Sequence, residues 1–113
     1  MKKNKSTSTL SADLQQKLNL YSNSTNKNIK ISDYFSWMEF KKIFSNTTLI
    51  FPLSYGKTSF ELLNFGDKFV VTIDYYGATK DLILNYQSAE DLLNNASIDG
   101  KPLKDIWKDL TIN

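Results

Sequence analysis

The feature that most limits what this chain can fold into is a change of hydrophobic period near residue 47. Before it, apolar residues recur at helical spacing: Trp37, Phe40 and Phe44, with Tyr34 and Met38 beside them, in the stretch SDYFSWMEFKKIF. After it they recur every second residue. Phe60 and Leu62 alternate with Ser59 and Glu61; Phe69, Val71, Ile73 and Tyr75 alternate with Val70, Thr72 and Asp74; and Leu82, Leu84 and Tyr86 share a side in KDLILNY. A period of 3.6 lines up one stripe of a helix and a period of two lines up one face of a strand. The turn sequences FGD (65–67) and YGAT (76–79) separate the alternating runs. The block predicts an antiparallel meander of three or four strands, with TTLIFPL (47–53) as a short first strand that Pro52 places at an edge or ends.

Helices are expected on both sides of this block. Ser11 opens one over about 12–21, with Leu14, Leu18 and Tyr21 on one face and Asp13 four residues before Lys17. Ser32 is the expected N-cap of a second over about 33–44, whose aromatic stripe reads as core rather than as a cofactor site. Ser88 with Asp91 starts a third over about 89–96. After an IDG turn, Leu103, Ile106, Trp107 and Leu110 fall at i, i+3, i+4 and i+7, the stripe of a fourth. Helices and strands in separate blocks predict the α+β class: a three- or four-stranded antiparallel meander flanked by two N-terminal and two short C-terminal helices. With 113 residues there is room for one core. Residues 1–9 are expected to be a disordered basic arm and 10–113 a single domain.

What the chain lacks narrows its chemistry. It has no Cys and no His, so thiolate zinc sites, a cysteine nucleophile and the commonest general base at neutral pH are all missing. All 14 basic residues are lysine. Without the planar fork of arginine, bidentate reading of guanine or phosphate has to rest on lysine point charges, which disfavours nucleic acid as a partner. The same lysine and asparagine bias fits an A/T-rich bacterial or phage genome. Charge is uneven: residues 1–30 carry six Lys against one acid, and residues 67–113 carry five Lys against eight acids. No apolar run is long enough to span a membrane, and the lysines at the start have no apolar segment after them, so a cytoplasmic protein is expected.

The triplet Gly56-Lys57-Thr58 suggests a phosphate-binding loop, but the mechanics of one are missing. Such a loop needs glycine five residues before the Gly-Lys pair, where this chain has Phe51, and a helix after the Thr, where it has the alternation of a strand. A turn at Tyr55-Gly56 entering a strand is expected instead. The acids pose a second question. If the turn spans Tyr76 to Thr79, Thr72 pairs with Ile83, Val71 with Leu84 and Asp74 with Asp81, two carboxylates that repel unless a metal, a shared proton or a partner lysine compensates. A register shifted by two puts Asp74 opposite Thr79 without conflict and is the one expected on electrostatic grounds.

With Phe60, Leu62, Phe69, Val71, Ile73, Leu82 and Leu84 beneath helices, the other face carries Leu63, Val70 and Ile83 among Glu61, Thr72, Asp74, Asp81 and Asn85. An apolar strip ringed by acids is the composition of a protein-binding patch, provided that the first helix does not lie across it. The expectation is a non-catalytic, cofactor-free and metal-free module that binds another protein, as an inhibitor, immunity factor or regulatory adaptor does, through Leu63, Val70, Thr72, Asp74, Tyr76, Asp81 and Ile83. A homodimer through the same face is a further possibility. The alternative is a nucleic-acid accessory protein using the basic arm.

Overall fold

A computed structural model describes residues 12–22 and 29–112, the side chains of Tyr21 and Ser22 aside. The expected basic arm, the Ser11 cap and most of the 22–28 loop lie outside the described residues. The chain is α+β. Helices α1 (Ala12–Ser22) and α2 (Trp37–Asn46) precede strands β1 (Ile50–Tyr55), β2 (Thr58–Asn64), β3 (Phe69–Asp74) and β4 (Leu82–Tyr86). Then follow α3 (Ala89–Asn95), a hairpin of β5 (Ser97–Ile98) and β6 (Lys101–Pro102), α4 (Leu103–Ile106) and β7 (Thr111–Ile112). The main sheet has five strands in the order β4-β3-β2-β1-β7, all antiparallel. The fifth, β7, adds to the expected meander by pairing with Leu53 and Ser54.

The second helix starts later than Ser32 suggested. Residues 31–33 make a single 3-10 turn, and α2 opens at a capping box: Glu39 N donates to Ser36 Oγ at 3.1 Å while Ser36 N donates to Glu39 Oε1 at 2.9 Å. Two orphan backbone donors are thereby satisfied, and Phe40, Ile43 and Phe44 turn inward together. Strand β1 starts at Ile50, not 47, and runs through Pro52 to Tyr55. The final stripe is also shorter than a helix: α4 ends at Ile106, a 3-10 turn covers 107–109, and Leu110 lies beyond it. All four stripe residues are nevertheless buried.

The core is aromatic. The Phe40 ring lies 4.8 Å from Phe51, 4.7 Å from Trp107 and 5.8 Å from Phe44. Trp107 also meets the Trp37 ring at 5.3 Å and donates its indole N–H to Phe35 O at 3.0 Å, the partner that a buried indole requires. A buried polar residue fixes the far end: Asn64 donates to Phe44 O at 2.7 Å, closing the C-terminal end of α2, and accepts from Gly66 N at 2.8 Å in the β2–β3 turn. We expect Asn64→Ala to cost about 1–3 kcal/mol, because it leaves the carbonyl of buried Phe44 without its partner and frees the β2–β3 turn at Gly66. Chemical denaturation measures the loss.

Helix α1 settles against α2. Leu14 and Leu18 are buried in the core cluster, and Lys17 pairs with Glu39 at 2.7 Å instead of with the expected Asp13. The Lys17 hydrogen bond, then the Ser36 amide, holds the Glu39 carboxyl below its ordinary value.

Candidate protein-binding surface

Strand register sorts the sheet residues into two faces. Phe51 and Leu53 of β1, Phe60 and Leu62 of β2, and Val71 and Ile73 of β3 point into the core, joined at its margin by Leu84 and Tyr86 of β4. The other face is built in cross-strand rows. Ile50, Leu63, Val70 and Asn85 make one row; Pro52, Glu61, Thr72 and Ile83 make the next; Ser54, Ser59 and Asp74 begin a third.

Nothing helical covers this second face among the described residues. Each of the four helices sends its buried side chains into the single core cluster, whereas Ile50, Val70 and Ile83 neither belong to that cluster nor pack against it. Ile83 is 61% exposed and Ile50 48%. The open question of the first helix is thus answered by its packing on α2. Leu63 stands apart from the other expected contacts: flanked in its row by Ile50 and Val70, it is only 8% exposed. It supports the patch from within rather than presenting much surface.

The acids cluster at one end of the same face. The β3–β4 ladder pairs Thr72 with Ile83 and Val71 with Leu84, which is the register that electrostatics disfavoured. The conflict does not arise inside the ladder, because pairing stops at Ile73 and Leu82, one step before Asp74 would meet Asp81. Instead, Asp74 and Asp81 join Glu61, Thr72, Pro52 and Ser59 around a shallow notch of about 250 Å³. Thr72 Oγ1 donates to Glu61 Oε1 at 3.1 Å, which holds that carboxylate in place on the rim. Among the described residues no group of three or more His, Cys, Asp or Glu is arranged to hold a metal ion, and no helix is long and apolar enough to cross a membrane.

The structure places the remaining candidate, Tyr76, in the turn beyond β3, 76% exposed, with Lys57 Nζ 4.7 Å from its ring centroid. This accounts for one letter of the GKT triplet. Gly56 holds φ at +61° in a two-residue loop between Tyr55 and Thr58, the glycine-first pattern of a type II′ hairpin turn. Thr58 is buried and donates to Asp99 Oδ2 at 3.2 Å, and Lys101 Nζ donates to Tyr55 Oη at 3.0 Å. The triplet is therefore the tip of a hairpin clasped by the β5–β6 hairpin, with no helix N-terminus behind it. Sequence reasoning read IDG as a turn but missed the roles of Asn64 and Asp99; the Asp99-Gly100 pair was the available sign of a tight hairpin.

Comparison with protein-family models, with characterised proteins and with solved structures gives no match to this chain.

Proposed function

We propose that this chain is a protein-binding module without chemistry of its own, which docks a basic protein surface on the open face of its sheet. The observation that carries this reading is the uncovered apolar strip of Ile50, Val70 and Ile83 ending in a notch walled by Glu61, Asp74 and Asp81. Apolar side chains give a partner area to bury, and three carboxylates at one end give it an orientation. A lysine or arginine of the partner fits the notch, where its charge meets acids that have no basic residue among the notch lining. Inhibitors, immunity factors and regulatory adaptors act in this way, by occupying a surface. The nucleic-acid alternative finds no support on this face, since the same acids repel phosphate.

The test is site-specific photo-crosslinking in the source cell. A photoreactive side chain at Ile83 or Thr72 is expected to trap one and the same protein, and at Lys42 on the helical side to trap none. Equal trapping from all three positions, or trapping from Lys42 alone, contradicts the reading.

A further inference from the structure

The two edges of the sheet are finished differently. On the β7 side the chain closes its own edge: Ile112 N donates to Ile29 O at 2.8 Å, Ile31 N donates to Leu110 O at 3.0 Å, and Lys30 bridges Thr111. Pro52, which has no N–H, stands in β1 just past the end of β7. The β4 edge has none of these devices. Its sequence, LILNY, contains no charge and no proline, two of the usual means of keeping an edge strand from pairing.

The hydrogen-bond phase shows what this edge offers. In an antiparallel ladder alternate residues aim their backbone groups at one neighbour and then at the other. The bond from Phe65 N to Lys68 O (2.9 Å) sets the phase at the β2–β3 turn, so Val70, Thr72 and Asp74 bond to β2. Phe69, Val71 and Ile73 are left to bond to Tyr86, Leu84 and Leu82. The N–H and C=O of Ile83 and Asn85 therefore point outward, with no ladder partner among the described residues.

We propose that a second copy of this chain pairs with this edge, β4 against β4 in antiparallel register, about a twofold axis through Leu84. Ile83 of each copy then meets Asn85 of the other, and each such pair exchanges two hydrogen bonds. Leu84 faces Leu84, and Leu82, 43% exposed in the single chain, faces Tyr86. The match of the strand to itself selects a second copy over an arbitrary strand: the outward hydrogen-bonding pairs are reciprocal, the facing side chains Leu84, Leu82 and Tyr86 are apolar or aromatic, and residues 82–86 carry no charge. Continued by two residues past the paired segment, the register brings Lys80 beside Ser88 of the other copy. Ser88 is the N-cap of α3, whose first turn carries Glu90 and Asp91. Asp81 falls beside Gln87, whose N–H donates to Asp91 Oδ2 at 3.0 Å. The twofold axis makes the match of Lys80 to the α3 acids twice, and brings Asp81 toward Asp91 as well. It also lays the two open faces side by side, so that one partner with two basic sites is held at both.

Sedimentation velocity on the full chain tests this. The expected result is a species of twice the 13.0 kDa chain mass. Asn85→Pro removes an outward N–H without breaking the β3 ladder, and is expected to give a folded monomer. Lys80→Glu, at an exposed position, is expected to weaken the dimer at least tenfold at low salt, and it carries the test if the proline variant fails to fold. Asn85 is the cross-strand neighbour of Val70 and Lys80 adjoins Asp81 of the notch, so the dimer is scored on the chain alone, with no docked protein present, which keeps its loss separable from loss of docking. A wild-type chain that stays at 13.0 kDa up to about 1 mM overturns the proposal, whether or not its edge captures a strand of another protein. A dimer that survives both changes overturns it equally.

Discussion

Val70→Lys is expected to weaken binding of the docked protein at least tenfold while leaving the fold intact. Val70 sits on a central strand, in the row with Ile50 and Leu63, and its side chain is partly exposed on the open face. In the free protein a lysine there runs its methylenes over the strip and keeps its ammonium in water, so the stability change is small. In the complex the same ammonium is caught in the apolar centre of the contact, where desolvating an unpaired charge is costly. Reversing the notch with Asp74→Lys and Asp81→Lys acts differently. It is expected to slow association about tenfold or more at low salt and to remove most of its ionic-strength dependence, since steering by exposed charges is what salt screens. Titration calorimetry and stopped-flow association with the crosslinked protein measure both effects. Unchanged affinity in Val70→Lys, with the fold retained, places the contact elsewhere.

Phe40→Ala is expected to have the largest effect on stability, about 3–5 kcal/mol. Its ring is fully buried and lies within 6.3 Å, centroid to centroid, of Trp37, Phe44, Phe51 and Trp107. It thus joins α2 to the inner face of β1 and to the C-terminal turn. Removing it leaves a cavity among rigid rings that relax poorly, and the loss is a large share of the stability of a small domain, about 5–15 kcal/mol. Urea denaturation of the two proteins reads it directly. A loss below about 1 kcal/mol, the range of tolerated core swaps, would mean that the aromatic cluster is not what holds the helices on the sheet.

How much of this was legible depended on how local each cause is. The strands β2, β3 and β4 could be read because alternation is a property of adjacent residues: Val71 and Ile73 had to share a face once either was buried, and so had Phe60 and Leu62. The start of α2 was missed although its signal is local: Ser36 and Glu39 stand three apart, as a capping box requires, whereas Ser32 has Phe35 at that position. Strand β7 was not legible, because two residues carry no period and Thr111 is recruited by Ser54, far away in the chain. The electrostatic choice of register failed for a physical reason. It assumed that Asp74 and Asp81 lie within the ladder, and they lie where the strands have already parted. As for the surface, alternation named Val70, Thr72 and Ile83 as neighbours on one face. It did not reveal that Leu63 is buried there, nor that Leu14 and Leu18 spend their apolar stripe on α2. A stripe identifies which side of a helix is buried and leaves open what buries it.

The account depends most on the sheet face being open in the protein alone. Methyl relaxation in the presence of a soluble paramagnetic agent, on the full chain with labelled Ile, Leu and Val, reads this at the side chains concerned. The account predicts that the methyls of Ile50 and Ile83 are strongly broadened, those of Val70 partly so, and those of Leu63 and Leu62 hardly at all. If Ile50 and Ile83 are as protected as Leu62, another part of the chain already occupies the face, and it is not a docking surface.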